Sequence, residues 1–206
     1  RHTRSCLKSR GLGDVYKRQV CAGIWIGFIV HWVTGSIPGK RFYEIYAGSG
    51  IAICLTLLLF GLFGWYPPRD DSSLLWAVHV AGTVLYWGSV VLVLLSILAL
   101  ARRGQPDGFF ERTTTLIDSG LFGVIRHPLY LGIALWSLGL VLKIQGILPS
   151  LAGTVALGCA WAASRKEEEF NLEKFGEGYA EYMTMVPAWN ALKGLHRALF
   201  RGGGAV

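Results

Sequence analysis

The feature that most constrains this chain is a series of long apolar stretches separated by short polar loops. Ile45–Trp65 and Leu74–Ala101 are each long enough, at about 1.5 Å per residue, to cross roughly 30 Å of hydrocarbon as helices. Leu129–Leu142 and Gly146–Ser164 follow close together, and a weaker stretch covers Val20–Ile37. With 52% hydrophobic and 16% charged residues, the chain is too apolar for one water-soluble domain. We therefore predict an all-α integral membrane protein with about five transmembrane helices.

The fourth and fifth apolar stretches predict a helical hairpin that turns within the sequence KIQG. Pro128 to Lys143 is 16 residues. A helix of that length spans about 24 Å, which is shorter than the hydrocarbon core. Either the bilayer thins here, or Arg126 and His127, which precede the helix, lie below headgroup level, where polar groups usually face a protein-lined cavity. The short helix therefore indicates a pocket at its N-terminal end.

Lys and Arg are unequally distributed between the two sides that five spans would create. Residues 38–44, residues 102–127 and the segment after Ser164 fall on one side and carry most of them. The other side receives Arg69 and Lys143 together with the basic N-terminal segment. Since cytoplasmic loops carry an excess of Lys and Arg, we predict that the first side is cytoplasmic. In a bacterium the membrane would be the inner one.

Both ends of the chain look separate from the spans. Residues 1–19 carry six Lys and Arg, begin without Met and contain LGDVYKRQ, which resembles a translated sequencing adapter. We expect them to be a non-native tail and set them aside. Residues 20–101 would hold the first three spans, and residues 191–206 would form a basic, flexible tail.

Polar residues from the two ends of the hairpin are predicted to meet on the cytoplasmic side. His127 precedes the fourth span, while Glu167 and Glu168 directly follow the fifth, its hairpin partner. The imidazole and the carboxylates would therefore line one cleft. In residues 164–189, apolar side chains recur at helical spacing, which predicts an amphipathic surface segment.

Over about residues 100–190, these stretches resemble a known family. The block LIDSGLFGVIRHPLYLG, a helical hairpin, and then EEE with FGEGYAEY and VP are similar to the isoprenylcysteine carboxyl methyltransferases and to the related membrane phospholipid N-methyltransferases. The resemblance implies an S-adenosylmethionine-dependent enzyme whose cofactor lies in a cytoplasm-facing pocket beside a lipid-accessible tunnel. The chain has no strand–GxGxxG–helix unit, which agrees with a cofactor site of this other kind. Residues 102–190 would hold the cofactor-binding loop, the hairpin and a C-terminal catalytic segment.

The resemblance also implies roles for individual residues. Glu167 could accept hydrogen bonds from the ribose or amino group of the cofactor and favour its sulfonium cation. His127 could donate to the cofactor carboxylate, while Phe122 and Tyr130 supply apolar or stacking surface. The full set of expected cofactor contacts is Thr114, Thr115, Leu116, Ile117, Phe122, His127, Pro128, Leu129, Tyr130 and Glu167.

Two further residues are candidates for catalysis. Arg165 would bind a substrate carboxylate, and Glu168 would accept a proton if the methyl acceptor were an amine. An isoprenylcysteine-like carboxylate or a small thiolate needs no general base, so positioning and desolvation would carry the reaction. A phospholipid amine stays open as a third acceptor. The expected partners are a lipophilic or lipidated substrate and the membrane, with no nucleic acid and no metal.

Two functions of other classes remain open from the sequence. Sterol-reductase-like membrane oxidoreductases that use NADPH share the RHPxY element, but they have about twice as many spans and a different polar pattern at Glu167–Glu168. A non-catalytic membrane scaffold is the second alternative. It is disfavoured because the polar residues cluster at one membrane face instead of forming a path through the spans.

Overall fold

The computed structural model describes residues 2–35, 42–64, 72–104 and 114–201, and within these ranges the regular structure is entirely helical. The all-α prediction is confirmed. The helices are α1 (His2–Gly35), α2 (Phe42–Leu62), α3 (Ser73–Arg103), α4 (Leu121–Val124), α5 (Pro128–Ile144), α6 (Ile147–Phe175), α7 (Glu177–Met185) and α8 (Ala191–Arg201).

Three of the described helices are long and apolar enough to cross a membrane, over Tyr43–Leu62, Leu74–Arg103 and Ile147–Phe175. Helix α5 is apolar but has 17 residues, or about 26 Å of length. The predicted count of five spans is therefore not confirmed. The described part of the weak stretch, Val20–Gly35, belongs to α1, which continues back through residues 2–19 as one helix, while residues 36–37 lie outside the described ranges.

Helices α5 and α6 form the predicted hairpin. The turn holds Gln145 with a positive φ of 55°, and the Gln145 side chain donates to the carbonyl of Leu75 on α3 (2.9 Å). Helix α6 packs against both α5 and α2, and α3 lies along the other side of α5. Small residues permit this close packing: Ala156, Ala160 and Ala163 are completely buried.

The crossing of α3 and α5 is especially close at Gly139. A Cβ atom at Gly139 would lie 2.8 Å from the backbone nitrogen of Tyr86 and 2.9 Å from the carbonyl oxygen of Gly82. The opposite face of α3 exposes large apolar side chains, including Trp76 and Trp87. Such a surface suits lipid and is unfavourable in water.

The C-terminal segment is more ordered than the sequence predicts. Where a flexible tail was expected over residues 191–206, the structure forms α8 and docks it on α4; residues 202–206 lie outside the described ranges. Arg197 Nη2 donates to the Gly123 carbonyl (2.8 Å), and Asn190 Oδ1 caps the helix by accepting from Lys193 N (2.9 Å). The segment is rich in Ala, Leu, Lys and Arg, which are strong helix formers, so its basic composition does not prevent order.

Candidate active site

A cleft lies where the N-terminal end of α5 meets the C-terminal end of α6. The space inside it that a water-sized molecule can occupy is about 100 Å³. One wall is apolar and comes from α2 and α5, through Ala47, Ile51 and Ile133 among others. The other wall is more polar and comes from the segment before α5, from the last turns of α6 and from α7. A ligand with one apolar part and one polar part would suit this division.

The backbone before α5 is held by the segment that follows α7. The Arg126 amide donates to the Pro187 carbonyl (3.0 Å), and the His127 amide donates to the Ala188 carbonyl (3.2 Å). Pro128 occupies the first turn of α5, where no N–H is needed, and it is buried. The segment after α7 therefore fixes the direction in which the side chains of Arg126 and His127 leave the backbone.

Glu168 joins the last turns of α6 to the segment before α5, behind the cleft. Its Oε1 accepts from Arg126 Nη2 at 2.8 Å and lies 3.1 Å from His127 Nε2, while its Oε2 accepts from Arg165 Nη1 at 3.0 Å. The carboxylate is almost completely buried. Three cationic or potentially cationic donors strongly favour its ionised form. Glu168 is thus placed to anchor its neighbours, and its oxygens are already occupied.

Arg126 connects this cluster to α7. Its guanidinium donates through Nη1 to the Met183 carbonyl (2.6 Å) and through Nη2 to Glu168. The side chain is 8% exposed and also lines the cleft. From the sequence, Arg126 was part of a motif and had no predicted role. In the structure its hydrogen bonds connect Glu168 of α6 to Met183 of α7.

His127 lies between two carboxylates of α6, those of Glu167 and Glu168. Its Nδ1 is 3.3 Å from Glu167 Oε2, and its Nε2 faces Glu168. Burial by itself lowers the pKa of His127, but the hydrogen bonds and charges of Glu167 and Glu168 outweigh burial, and the pKa is raised above its usual value. A protonated ring can donate to both carboxylates at once. The raised pKa favours the protonated form of His127 beside Glu167, whose side chain is 29% exposed and faces the cleft.

Aromatic rings form the end of the cleft under α7. The Tyr182 hydroxyl donates to the Phe122 carbonyl (2.7 Å), and Tyr179 packs against Tyr182 with ring centres 5.7 Å apart. Burial raises the pKa of both Tyr179 and Tyr182, so their hydroxyls stay protonated at neutral pH. On the other side, the Tyr130 ring lies 5.7 Å from the His127 ring. The cleft can therefore enclose a flat or cationic group between aromatic surfaces.

Most of the residues predicted to contact a cofactor do line this cleft. They are Thr115, Leu116, Ile117, Phe122, His127, Leu129, Tyr130 and Glu167. Thr114 is exposed and does not line it; its amide donates to the Gly104 carbonyl (2.9 Å). Pro128 is buried within α5, Arg165 has a 59% exposed side chain outside the lining, and Glu168 lies behind His127. The functional role of each residue stays a prediction.

Several lining residues were not predicted. Asn171 follows Glu167 by four positions on α6, so helical spacing alone places both on one face and could have identified it. Tyr179 and Tyr182 were recognised only as part of an amphipathic pattern. Tyr43 and Ile51 of α2 and Leu100 of α3 had no signal, because their apolar or aromatic character is common to every span.

The part of the chain that forms most of the cleft is similar to known methyltransferases. A profile of the family described as phospholipid methyltransferase matches residues 77–178, a range that contains His127, Glu167 and Glu168. The chain is 38% identical over 74 residues to protein-S-isoprenylcysteine O-methyltransferase of Xenopus laevis. It resembles the isoprenylcysteine methyltransferase family. The resemblance inferred from the sequence motifs is confirmed.

Two other relatives of this family differ in how much of the chain they match. Protein-S-isoprenylcysteine O-methyltransferase of Dictyostelium discoideum is 29% identical over 203 residues, covering 91% of this chain and 79% of the relative. Protein-S-isoprenylcysteine O-methyltransferase B of Arabidopsis thaliana is 31% identical over 79 residues, covering 38% of this chain and 40% of the relative. The Xenopus match covers 35% of this chain and 26% of that relative. The Xenopus and Arabidopsis matches thus span less than half of those two relatives. No solved structure matches the chain significantly.

Proposed function

We propose that this chain is an integral-membrane methyltransferase that uses S-adenosylmethionine and acts on a lipophilic, membrane-accessible acceptor. The observation that carries the proposal is the pairing of His127 with the cleft-facing carboxylate Glu167, inside the segment that resembles membrane methyltransferases. The names of the relatives support the reaction class, and the apolar helices support the location.

The residues of the cleft fit the proposed cofactor chemically. Glu167 offers an anionic oxygen that would favour a sulfonium cation and accept from hydroxyl or amino groups. His127, as an imidazolium, would attract a carboxylate. Phe122 and Tyr130 add aromatic surface at the same cleft. When bound, the cofactor would supply an electrophilic methyl group whose leaving group is already activated by its positive charge.

The residues behind the cleft would position the reacting groups and would not take part in the chemistry. Glu168 is bound to two arginines and faces His127, so it is poorly placed to accept a proton from an amine. Arg126 and Glu168 instead hold α7 and the aromatic end of the cleft in place. This arrangement favours an acceptor that is already ionised, a carboxylate or a thiolate, over a phospholipid amine.

The apolar wall of α2 and α5 would receive the lipophilic part of the acceptor. Ala47, Ile51 and Ile133 line this wall, which continues from the polar residues towards the apolar length of both helices. An acceptor could thus enter from the bilayer and present its polar end near Glu167. We place the cleft on the cytoplasmic side, as the Lys and Arg distribution predicts.

Calorimetric titration in detergent tests the proposal. S-adenosylhomocysteine should bind the wild-type protein, and NADPH, the cofactor of the oxidoreductase alternative, should not. His127→Ala and Glu167→Ala should each weaken S-adenosylhomocysteine binding more than about tenfold, or roughly 1.4 kcal/mol, the cost of a lost charge-assisted contact in a sheltered site. Glu169→Ala is the matched control, because it removes a 64% exposed carboxylate from the same helix.

Folding of each variant is checked by size-exclusion profile and melting temperature before titration. Unchanged affinity in both cleft variants would reject the site, even if the wild-type protein binds. Binding of NADPH in place of S-adenosylhomocysteine would reject the methyltransferase assignment itself.

A further inference from the structure

Helix α8 has two faces of different character. Gly194 and Arg197 face α4: Gly194 packs so closely on Val124 that a Cβ atom would overlap the Val124 carbonyl oxygen, and Arg197 donates to the Gly123 carbonyl. The other face carries Leu192, Leu195, Leu199 and Phe200, which are 80%, 49%, 67% and 74% exposed. Spacings of three, four and one residues place these four side chains on one side of a helix. This outer face is apolar apart from the exposed His196, whose ring lies 4.7 Å from the Phe200 ring, and it has no protein cover among the described residues.

The charges of the same segment are all positive. Residues 190–201 contain Lys193, Arg197 and Arg201 and no Asp or Glu. A short helix with Leu and Phe on one face and Lys and Arg elsewhere is the type that lies in the interfacial layer of a bilayer. Basic residues near the surface add attraction to anionic phospholipids, which a neutral protein partner would not use.

Helix α8 lies near the N-terminal end of α5, where the surface of the bilayer would be. It docks on α4, and three residues separate the end of α4 from the start of α5. The segment that leads into α8 is bonded to the backbone of Arg126 and His127, at the same end of the apolar hairpin. An outward-facing apolar helix at this level would meet the headgroup region of the bilayer that surrounds α3 and α6.

We propose that α8 is a membrane-surface helix, with Leu192, Leu195, Leu199 and Phe200 among the acyl chains and its basic residues beside anionic headgroups. Through Gly194 and Arg197 it would hold α4, and with it the cleft residue Phe122, against the bilayer. The inference rests on the insertion of the apolar helices into a membrane and is independent of the reaction catalysed.

Depth-dependent fluorescence quenching on the full chain tests this inference. The native cysteines are replaced, and a polarity-sensitive fluorophore is attached to Leu199→Cys in nanodiscs of mixed phosphatidylglycerol and phosphatidylcholine. Lipids with a nitroxide high on the acyl chain should quench most of its emission, and aqueous iodide should quench little. The control is Glu181→Cys on the exposed face of α7, for which the order of the two quenchers should be reversed.

Three results would overturn the inference. Iodide quenching at Leu199→Cys as strong as at Glu181→Cys would place the face in water. Protection from both quenchers, with disulfide crosslinks between copies, would assign the face to a second copy of the chain. Protection from both without crosslinks would assign it to another segment of the same chain. Repeating the measurement at Leu195→Cys guards against a local effect of one label. If the basic residues contribute to membrane binding, nanodiscs of pure phosphatidylcholine should give weaker quenching by the nitroxide lipids.

Discussion

The link between α6 and α7 should depend on one buried arginine, so Arg126→Ala should loosen α7 selectively. The substitution removes two hydrogen bonds of the guanidinium, to Glu168 (2.8 Å) and to the Met183 carbonyl (2.6 Å), from a side chain that is 8% exposed. Breaking a buried ion pair costs about 3–5 kcal/mol, and a single bond to a charged group about 1.5–3 kcal/mol. Because Glu168 keeps Arg165 and His127, the lower end applies, and we expect about 3 kcal/mol.

Hydrogen–deuterium exchange of peptides covering Glu177–Met185 measures this loss directly. A drop of about 3 kcal/mol in the free energy of local opening should speed the exchange of α7 amides roughly 100-fold. The matched control is Arg165→Ala, which removes a partner of the same carboxylate from a 59% exposed position. Because Arg165 is largely exposed, its pairing with Glu168 should contribute up to about 1 kcal/mol, and exchange should change less than about fivefold.

The comparison of these two variants decides the interpretation. If Arg126→Ala and Arg165→Ala accelerated exchange equally, burial would not determine the strength of the link, and the reasoning would be refuted. Unchanged exchange in Arg126→Ala would show that the backbone bonds at Pro187 and Ala188 are sufficient to hold α7.

Three other predictions follow from named positions. The pKa of His127 is raised on folding, so its ring should still carry a positive charge at pH 6.5 and lose it at higher pH, which ring ¹⁵N chemical shifts would measure. The stability that the pairing of His127 contributes should be complete below pH 6.5 and be lost as the pH rises through the folded-state pKa. A folded-state pKa below 6.5 would contradict the double pairing. Gly139→Ala should lower the melting temperature through a loss of about 1–3 kcal/mol, whereas Gly88→Ala, which meets open space, should not. With native cysteines replaced, Ser72→Cys should react with an impermeant thiol reagent on intact cells and Ser119→Cys only after permeabilisation; labelling of Ser119→Cys from outside would reverse the proposed orientation.

The candidate cleft could be predicted in part because the hairpin is a short-range feature. His127 immediately precedes α5, and Glu167 follows the apolar part of α6. Any tight hairpin of these lengths therefore brings the two residues together. The 3.3 Å approach of His127 Nδ1 to Glu167 Oε2 agrees with that expectation. The lengths of the apolar stretches and the geometry of a hairpin were thus sufficient to bring His127 and Glu167 together, without information on the rest of the fold.

The walls of the cleft could not be predicted in the same way. Tyr43, Ile51 and Leu100 reach it from helices distant in sequence, and their neighbours in the same helices are equally apolar. Which face of such a helix turns inward depends on close contacts of small residues, as where Gly139 of α5 meets the backbone of Tyr86 on α3. The docking of α8 could not be predicted for a related reason. It depends on Gly194, whose lack of a side chain lets α8 approach the backbone of Val124 closely.

Glu167 and Glu168 of α6 have different surroundings because successive residues of a helix point about 100° apart. Glu168 turns towards Arg126 and Arg165, where its side chain is 6% exposed, while Glu167 turns to the cleft and is 29% exposed. Of the two, Glu167 is the one that lines the cleft, and Glu168 is the one that pairs with the buried Arg126. His127 contacts both, so its charge joins the anchoring cluster to the ligand-facing group. Entry of a cationic ligand beside Glu167 would compete with the His127 ring for that carboxylate without disturbing Glu168, and the cleft could respond to its ligand while α7 stays in place.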